Sequence, residues 1–227
     1  MASIGNLASG IAHELNTPLA TISIISQELN DILNKHAASN NFKKEINGYL
    51  SDIDAEISRC KSIIENVQNY SKKGLHQKKS VNITDVISKT VDLICNGKLP
   101  KGVVIKKDLG IFPQVNTDPE RFRQVIINIL KNAIQAVSLS KRKKEILISL
   151  KREDQSIVLT IKDTGTGIPR KDFKRLFEPF FTTKPPGKGT GLGLFVSYGI
   201  MKDLGGDVQI KSRKGTGTSV LLKLPLE

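Results

Sequence analysis

The stretch IAHELNTPLA, residues 11–20, places a carboxylate, Glu14, directly after a histidine, His13, and a hydroxyl, Thr17, one helical turn beyond it. At about 3.6 residues per turn, His13 and Thr17 share a helix face and Glu14 lies on the neighbouring flank. On that flank, solvent or a visiting domain could reach the imidazole. Pro18 follows at once; inside a helix it removes a backbone donor, frees a carbonyl and costs about 3 kcal/mol. A solitary histidine on a helix flank is also an ordinary surface residue, so the decision falls to groups more than a hundred positions downstream.

There, RFRQVIINILKNAIQAV (residues 121–137) sets Asn128 and Asn132 one turn apart, so two carboxamides project the same way from one helix. An amide oxygen can complete the shell of a hard cation such as Mg²⁺. The isoleucines around Asn128 argue against a plain solvent face. DTGTGIP, opening with Asp163, follows a strand. A carboxylate so placed can accept a hydrogen bond from an exocyclic amine such as that of adenine. Gly165 and Gly167 would let the backbone approach a ring closely, although DxGxG is also a fair turn sequence. GKGTGLGL, residues 187–194, precedes a helix, and exposed amides at a helix start favour phosphate. Between the two glycine stretches, residues 171–186 with LFEPFFTTK at their centre read as a mobile lid pinned by Phe177, Phe180 and Phe181. GTGTS, residues 215–219, reads as a hairpin turn with Thr218 facing the adenine pocket.

The elements that must carry these groups follow from periodicity. Ile4, Ala8, Ile11, Leu15, Pro18, Ile22, Ile25, Leu29 and Ile32 are spaced by fours and threes, which predicts a long helix over residues 3–35 buried along one seam. His13 lies beside that seam. After a polar break at 36–41, Ile46, Leu50, Ile53, Ile57, Cys60, Ile64 and Val67 repeat the pattern and predict a second helix over 42–72. A hairpin of this size cannot bury both stripes alone, so a homodimer forming a four-helix bundle is expected. SKKGLHQKK, in which residues 73–79 form the linker, separates this region, 1–72, from a second domain, 80–227. The latter shows helices at 83–94, 119–139 and 192–204, and strands at 103–107, 114–116, 145–151, 156–162, 207–212 and 218–224. Such mixing predicts an α+β sandwich with helices on one sheet face.

Composition excludes several classes. With 227 residues, 38% hydrophobic and 25% charged, the chain is ordinary globular protein. Two cysteines, Cys60 and Cys95, with no pairing pattern suggest a reducing compartment. No apolar run is long enough to span a membrane and no signal peptide opens the chain. The net charge of +13 is dispersed, apart from KRKK at 141–144. It would suit a nucleic-acid partner, an acidic protein partner or an anionic ligand.

Taken in order, the asparagine helix, DTGTG, the EPFFTTK segment, GTGLGL and GTGTS resemble the N, G1, F, G2 and terminal GT boxes of the histidine-kinase/gyrase/chaperone ATP-binding fold. With HELNTPL ahead of them, the chain resembles the catalytic core of bacterial two-component sensor histidine kinases: a helical hairpin that dimerises, followed by an ATP-binding α+β sandwich. The resemblance implies that His13 takes the γ-phosphoryl of ATP, with Glu14 as its carboxylate partner. It implies that Thr17 helps place water for dephosphorylating the partner, and that Asn128 and Asn132 hold Mg²⁺ with Lys131 nearby. Asp163 would read the adenine amine beside Gly165, Gly167, Ile168 and Thr218. Thr182, Thr183, Lys184, Gly187, Gly189, Thr190, Gly191, Leu192 and Gly193 would close over the triphosphate. Gyrase-type and chaperone ATPases carry a water-activating glutamate where this chain has Asn128, so transfer is expected over hydrolysis. The implied partner is a response-regulator receiver domain, with no nucleic acid. The place is the cytoplasm, with an expected sensor region, and in many relatives a membrane anchor, ahead of His13.

HELNTPLATI with Arg59-Cys60-Lys61 is also similar to RegB/PrrB-type redox-responsive kinases, which makes Cys60 a redox candidate. NILKNAIQA and EPFFTTK look equally like NtrB-type kinases, and Cys60 on an apolar seam also serves simple packing. A kinase-like scaffold without turnover remains the alternative to an enzyme.

Overall fold

The computed structural model describes residues 2–35, 42–71, 78–97, 99–185 and 189–226. They form two compact units, residues 1–71 with 179–192 and residues 72–178 with 193–227.

In the first unit, helices α1 (Ala2–Lys35) and α2 (Phe42–Ser71) pack on each other. α1 runs unbroken through Pro18. Just beyond the donor that the proline removes, the Thr21 hydroxyl donates to the Thr17 carbonyl at 3.1 Å. The predicted seam of α1 holds at the described positions: Pro18 and Ile25 are buried, and Ile11, Leu15, Ile22 and Leu29 are half-buried. Asn16, Thr17, Ser23, Gln27 and Glu28 are exposed. The single seam expected on α2 divides in two. Ile46, Ile53 and Cys60 are half-buried and Ile63 is buried, whereas Leu50, Ile57 and Ile64, each seven residues on, stay exposed. A stripe wider than a two-helix contact cannot be covered by one neighbour, so its far edge faces outward.

The second unit is built on a five-stranded sheet in the order β2 (Val104–Leu109), β4 (Glu145–Glu153), β5 (Ser156–Asp163), β7 (Gly217–Pro225), β6 (Asp207–Arg213). β2 pairs with β4 in parallel and the other pairs are antiparallel. A small antiparallel ribbon, β1 (Lys79–Val81) with β3 (Val115–Thr117), stands apart. β1 has no counterpart in the sequence reading, because Lys79–Val81 adjoin a basic stretch without periodicity. Helices α3 (Ile83–Cys95), α4 (Pro119–Ser138) and α5 (Gly193–Asp203) complete the unit, α4 touching β4, β5, β7, α3 and α5.

α4 is set by its ends and its stripe. Asp118 caps it by accepting from the amides of Glu120 and Arg121, and Pro119 fills the first turn, where a missing N–H costs nothing. Phe122, Val125, Ile126, Ile129, Leu130, Ala133 and Val137 are buried along one face. Burying side chains of this size contributes about 1.5–3 kcal/mol for each large one. The face left over carries Asn128, Lys131 and Asn132.

Candidate functional site

Strand register explains how an apolar sheet comes to hold a carboxylate. On the buried face, Ile148, Ile161 and Val220 lie side by side across β4, β5 and β7, with Ile210 next on β6. One step along the strands, the row reads Ile146, Asp163, Thr218, Ser212. Alternation thus delivers polar side chains to one end of a hydrophobic face. Asp163 is only 5% exposed. Its Oδ1 accepts from the Gly165 amide at 2.7 Å and from the Thr218 amide at 3.2 Å. Burial pushes its pKa above the ordinary aspartate value, partly opposed by the two amide bonds.

Two glycines make this packing possible. A Cβ on Gly165 would stand 2.6 Å from the carbonyl carbon of Ala136 and 2.8 Å from Asp163 Oδ1. Gly217 has φ +112°, and a Cβ there would meet the Asp163 carbonyl oxygen at 2.0 Å. Because Ala136 is one turn beyond Asn132 and two beyond Asn128, the DTGTG loop closes on the same face of α4 that carries both amides. Asn128 and Asn132 are half-buried and Lys131 is exposed. Asn128 Nδ2 donates to Ser197 Oγ at 3.4 Å, and the Ser197 hydroxyl donates to the Gly193 carbonyl at 2.8 Å.

Several residues that the sequence reading passed over hold the loops. Ser212 Oγ accepts from the Ile168 amide at 2.8 Å and donates to the Gly217 carbonyl at 2.8 Å, with Thr218 Oγ1 2.9 Å away. The Gly215 amide donates to the Thr166 carbonyl at 2.7 Å, and Arg142 Nη1 donates to the Gly215 carbonyl at 2.9 Å. Thr164 Oγ1 bonds the Lys143 carbonyl and accepts from the Glu145 amide. Alternation along β6 had placed Ser212 on the face of Val208 and Ile210, so its role was readable; Ser197 carried only its spacing of four from Gly193.

The segment expected to be a loop-like lid is ordered at its start, where Arg170–Arg175 form a 3-10 helix, and Phe177 stacks on Tyr198 with ring centroids 4.8 Å apart. Phe180 and Phe181 are half-buried. Within the first unit, Phe180 has φ 64°, and Gly191, at φ +66°, lies against its backbone. Thr182 and Thr183 are exposed. Lys184 is half-buried, and burial pushes its ammonium pKa down. Gly189 lies under Lys184 and Thr182, while Thr190 Oγ1 accepts from the amide of buried Leu192 at 3.4 Å. Gly187 lies outside the described residues. His13 and Glu14 belong to α1, but their side chains fall outside the described set; Thr17 is exposed on that helix.

The aspartate held by two backbone amides and the pair of helix carboxamides belong to the second unit, and comparison with known proteins identifies the domains of the chain. Residues 3–75 match the His Kinase A (phospho-acceptor) domain, and residues 117–227 match the Histidine kinase-, DNA gyrase B-, and HSP90-like ATPase family. The chain belongs to the sensor histidine kinases. Sporulation kinase E of Bacillus subtilis is 32% identical over 98% of this chain, and sensor kinase CckA of Brucella abortus is 34% identical over 99%. The chain spans only 29% and 24% of those two relatives. Among solved structures, histidine kinase ThkA in complex with response regulator protein TrrA aligns over 100% of this chain and 63% of that one, with TM-score 0.77 and 23% identity. Acinetobacter baumannii histidine kinase AdeS aligns over 95% and 98%, with TM-score 0.67 and 23% identity. These two likenesses establish the histidine-kinase fold: a helical hairpin followed by a mixed sheet with helices. The ATPase domain implies ATP binding. Among the described residues, no helix is long and apolar enough to cross a membrane.

Proposed function

We propose that this histidine kinase core transfers the γ-phosphoryl of ATP to His13 and then to an aspartate of a response-regulator receiver domain. The imidazole lone pair forms the N–P bond as the bond from the γ-phosphorus to the bridging oxygen breaks, with ADP leaving. Glu14 holds the other ring proton. In the second step a carboxylate oxygen of the receiver attacks phosphorus and the N–P bond breaks, returning neutral His13. Transfer of this kind depends on positioning and charge neutralisation. Asp163, held at 2.7 Å by the Gly165 amide, is the observation that carries the reading: a buried carboxylate bonded by two backbone amides suits a neutral amine donor such as that of adenine. Gly167, Ile168 and Thr218 line the same end, and the sequence resemblance alone supports Thr182, Thr183, Lys184, Gly187, Gly189, Thr190, Gly191, Leu192 and Gly193 as contacts for the triphosphate.

Among the described residues no group of three or more His, Cys, Asp or Glu gathers to cage a metal. Two neutral amides one turn apart fit Mg²⁺ that arrives with phosphate and water ligands. Asn128 and Asn132 would hold it, with Lys131 adding a point charge. Bound there, the ion would neutralise charge on the phosphates. Without a glutamate at position 128 to activate water, ATP is kept for His13.

The boundaries proposed are a phosphotransfer domain, 1–72, a linker, 73–79, and a catalytic domain, 80–227. Support for a homodimer comes from the exposed Leu50, Ile57 and Ile64 of α2, 48%, 52% and 45% accessible, which a second hairpin would cover. Exposed Thr17 supports a phosphatase role toward the same receiver, and the basic surface suits an acidic receiver domain better than a nucleic acid. The core would work in the cytoplasm, tethered through preceding sequence. The RegB/PrrB-like reading of Cys60 is favoured by one observation: the residue is half-buried rather than sealed, so oxidant can reach its edge. An inter-protomer Cys60 disulfide on a non-reducing gel, absent in Cys60→Ser, would support it.

Phosphoryl stoichiometry tests the transferase reading. With ATP alone, ADP production should stop near one per chain; continuous release that persists in His13→Gln would make the chain an ATPase.

A further inference from the structure

Resting on the reading of Asn128 as a metal ligand, we infer that Ser197 is the positioning residue that decides which end of the Asn128 amide faces the cation. Asn128 offers a donor end and an acceptor end of nearly equal size, and only the oxygen can bind Mg²⁺. Ser197 settles the choice by proton counting. It is fully buried, in the first turns of α5, and its one O–H is committed to the Gly193 carbonyl at 2.8 Å. Its oxygen can therefore only accept from its other neighbour. Asn128, 3.4 Å away, must present Nδ2, and Oδ1 is turned to the opposite side. Among the described residues no donor occupies Oδ1.

The relay also joins two stretches separated in sequence. Gly193 is the first residue of α5, directly after GTGL, so its carbonyl position fixes the Ser197 rotor and, through it, the Asn128 amide on α4. Asparagine alone would flip freely between its two orientations in a polar site. With a hydroxyl locked to a backbone carbonyl beside it, one orientation is selected before any ion arrives, which is the preorganisation that a weakly held cation requires.

The test is titration of the whole chain with a non-hydrolysable ATP analogue, in excess Mg²⁺ and in EDTA, for the wild type, Ser197→Ala, Asn128→Ala and the double variant. Ser197→Ala is expected to weaken binding about fivefold in Mg²⁺, the effect of one neutral hydrogen bond, and to change it less than about twofold in EDTA. In the Asn128→Ala background the same change should cost nothing more, because Ser197 acts through Asn128. Ser197→Thr, which keeps the hydroxyl, should restore the Mg²⁺-dependent part. Equal losses with and without Mg²⁺, or losses that add in the double variant, would overturn the inference. If the wild type and Asn128→Ala show the same metal dependence, the metal-ligand reading of Asn128 fails first and Ser197 has nothing to position. Circular dichroism melting of each variant separates these results from unfolding.

Discussion

Replacing Asp163 by Asn should move stability and nucleotide affinity in opposite directions. Asn is isosteric and keeps an oxygen for the two amide donors now bonded to Oδ1, Gly165 at 2.7 Å and Thr218 at 3.2 Å. The residue is only 5% exposed, and burial is the larger influence on its pKa, raising it above the ordinary value of 3.8. A carboxyl whose folded pKa is raised gives stability that is complete below its unfolded pKa and is lost as pH rises through the folded one. Ionised Asp163 is therefore a burden on the empty domain at neutral pH. Asp163→Asn should melt no lower than the wild type at pH 7, with a flatter stability profile across the interval above 3.8. Binding changes the other way. Where the second carboxylate oxygen would accept a hydrogen bond from an amine, the variant presents an NH₂ group. The charged hydrogen bond is lost and two donors face each other, together worth about 3 kcal/mol or more, which is at least about a hundredfold in Kd. Calorimetric titration with ADP and thermal melting across pH, run on the same preparations, measure both. An affinity within about threefold of wild type would refute the adenine role of Asp163. A melting point several degrees lower would show instead that its charge holds the fold.

Gly165→Ala should destabilise the second unit by about 1–3 kcal/mol, because the added Cβ meets backbone of α4 rather than a side chain that can swing away; a lower melting temperature with weakened nucleotide binding is the expected result. Ile57→Glu, at an exposed position on α2, should leave the hairpin helical and convert dimer to monomer in sedimentation equilibrium; persistence of the dimer would remove α2 from the interface.

The sequence disclosed most of this arrangement because its signals are local. α4 is written in a capping aspartate, a proline and a stripe of buried residues, and Asp163 in the alternation of β5. The paired amides of Asn128 and Asn132 need only helical periodicity. What was not legible depends on contacts between distant stretches. Ser197 takes its meaning from Asn128, 69 residues away, and Arg142 from the turn at Gly215. β1 is a strand only because β3 lies beside it. The single stripe expected on α2 divided because periodicity counts apolar positions without counting the neighbours that can cover them. The 3-10 helix at Arg170–Arg175 went unseen for a related reason: it has no buried residue and so leaves no apolar period to read.

The central claim is that phosphate from ATP comes to rest on one histidine. γ-labelled ATP should be incubated with the chain and with His13→Gln, and the label then challenged with acid and with alkali. The account predicts a label that acid removes, alkali spares and the variant lacks. Label that survives acid, or that His13→Gln still acquires in full, would contradict it.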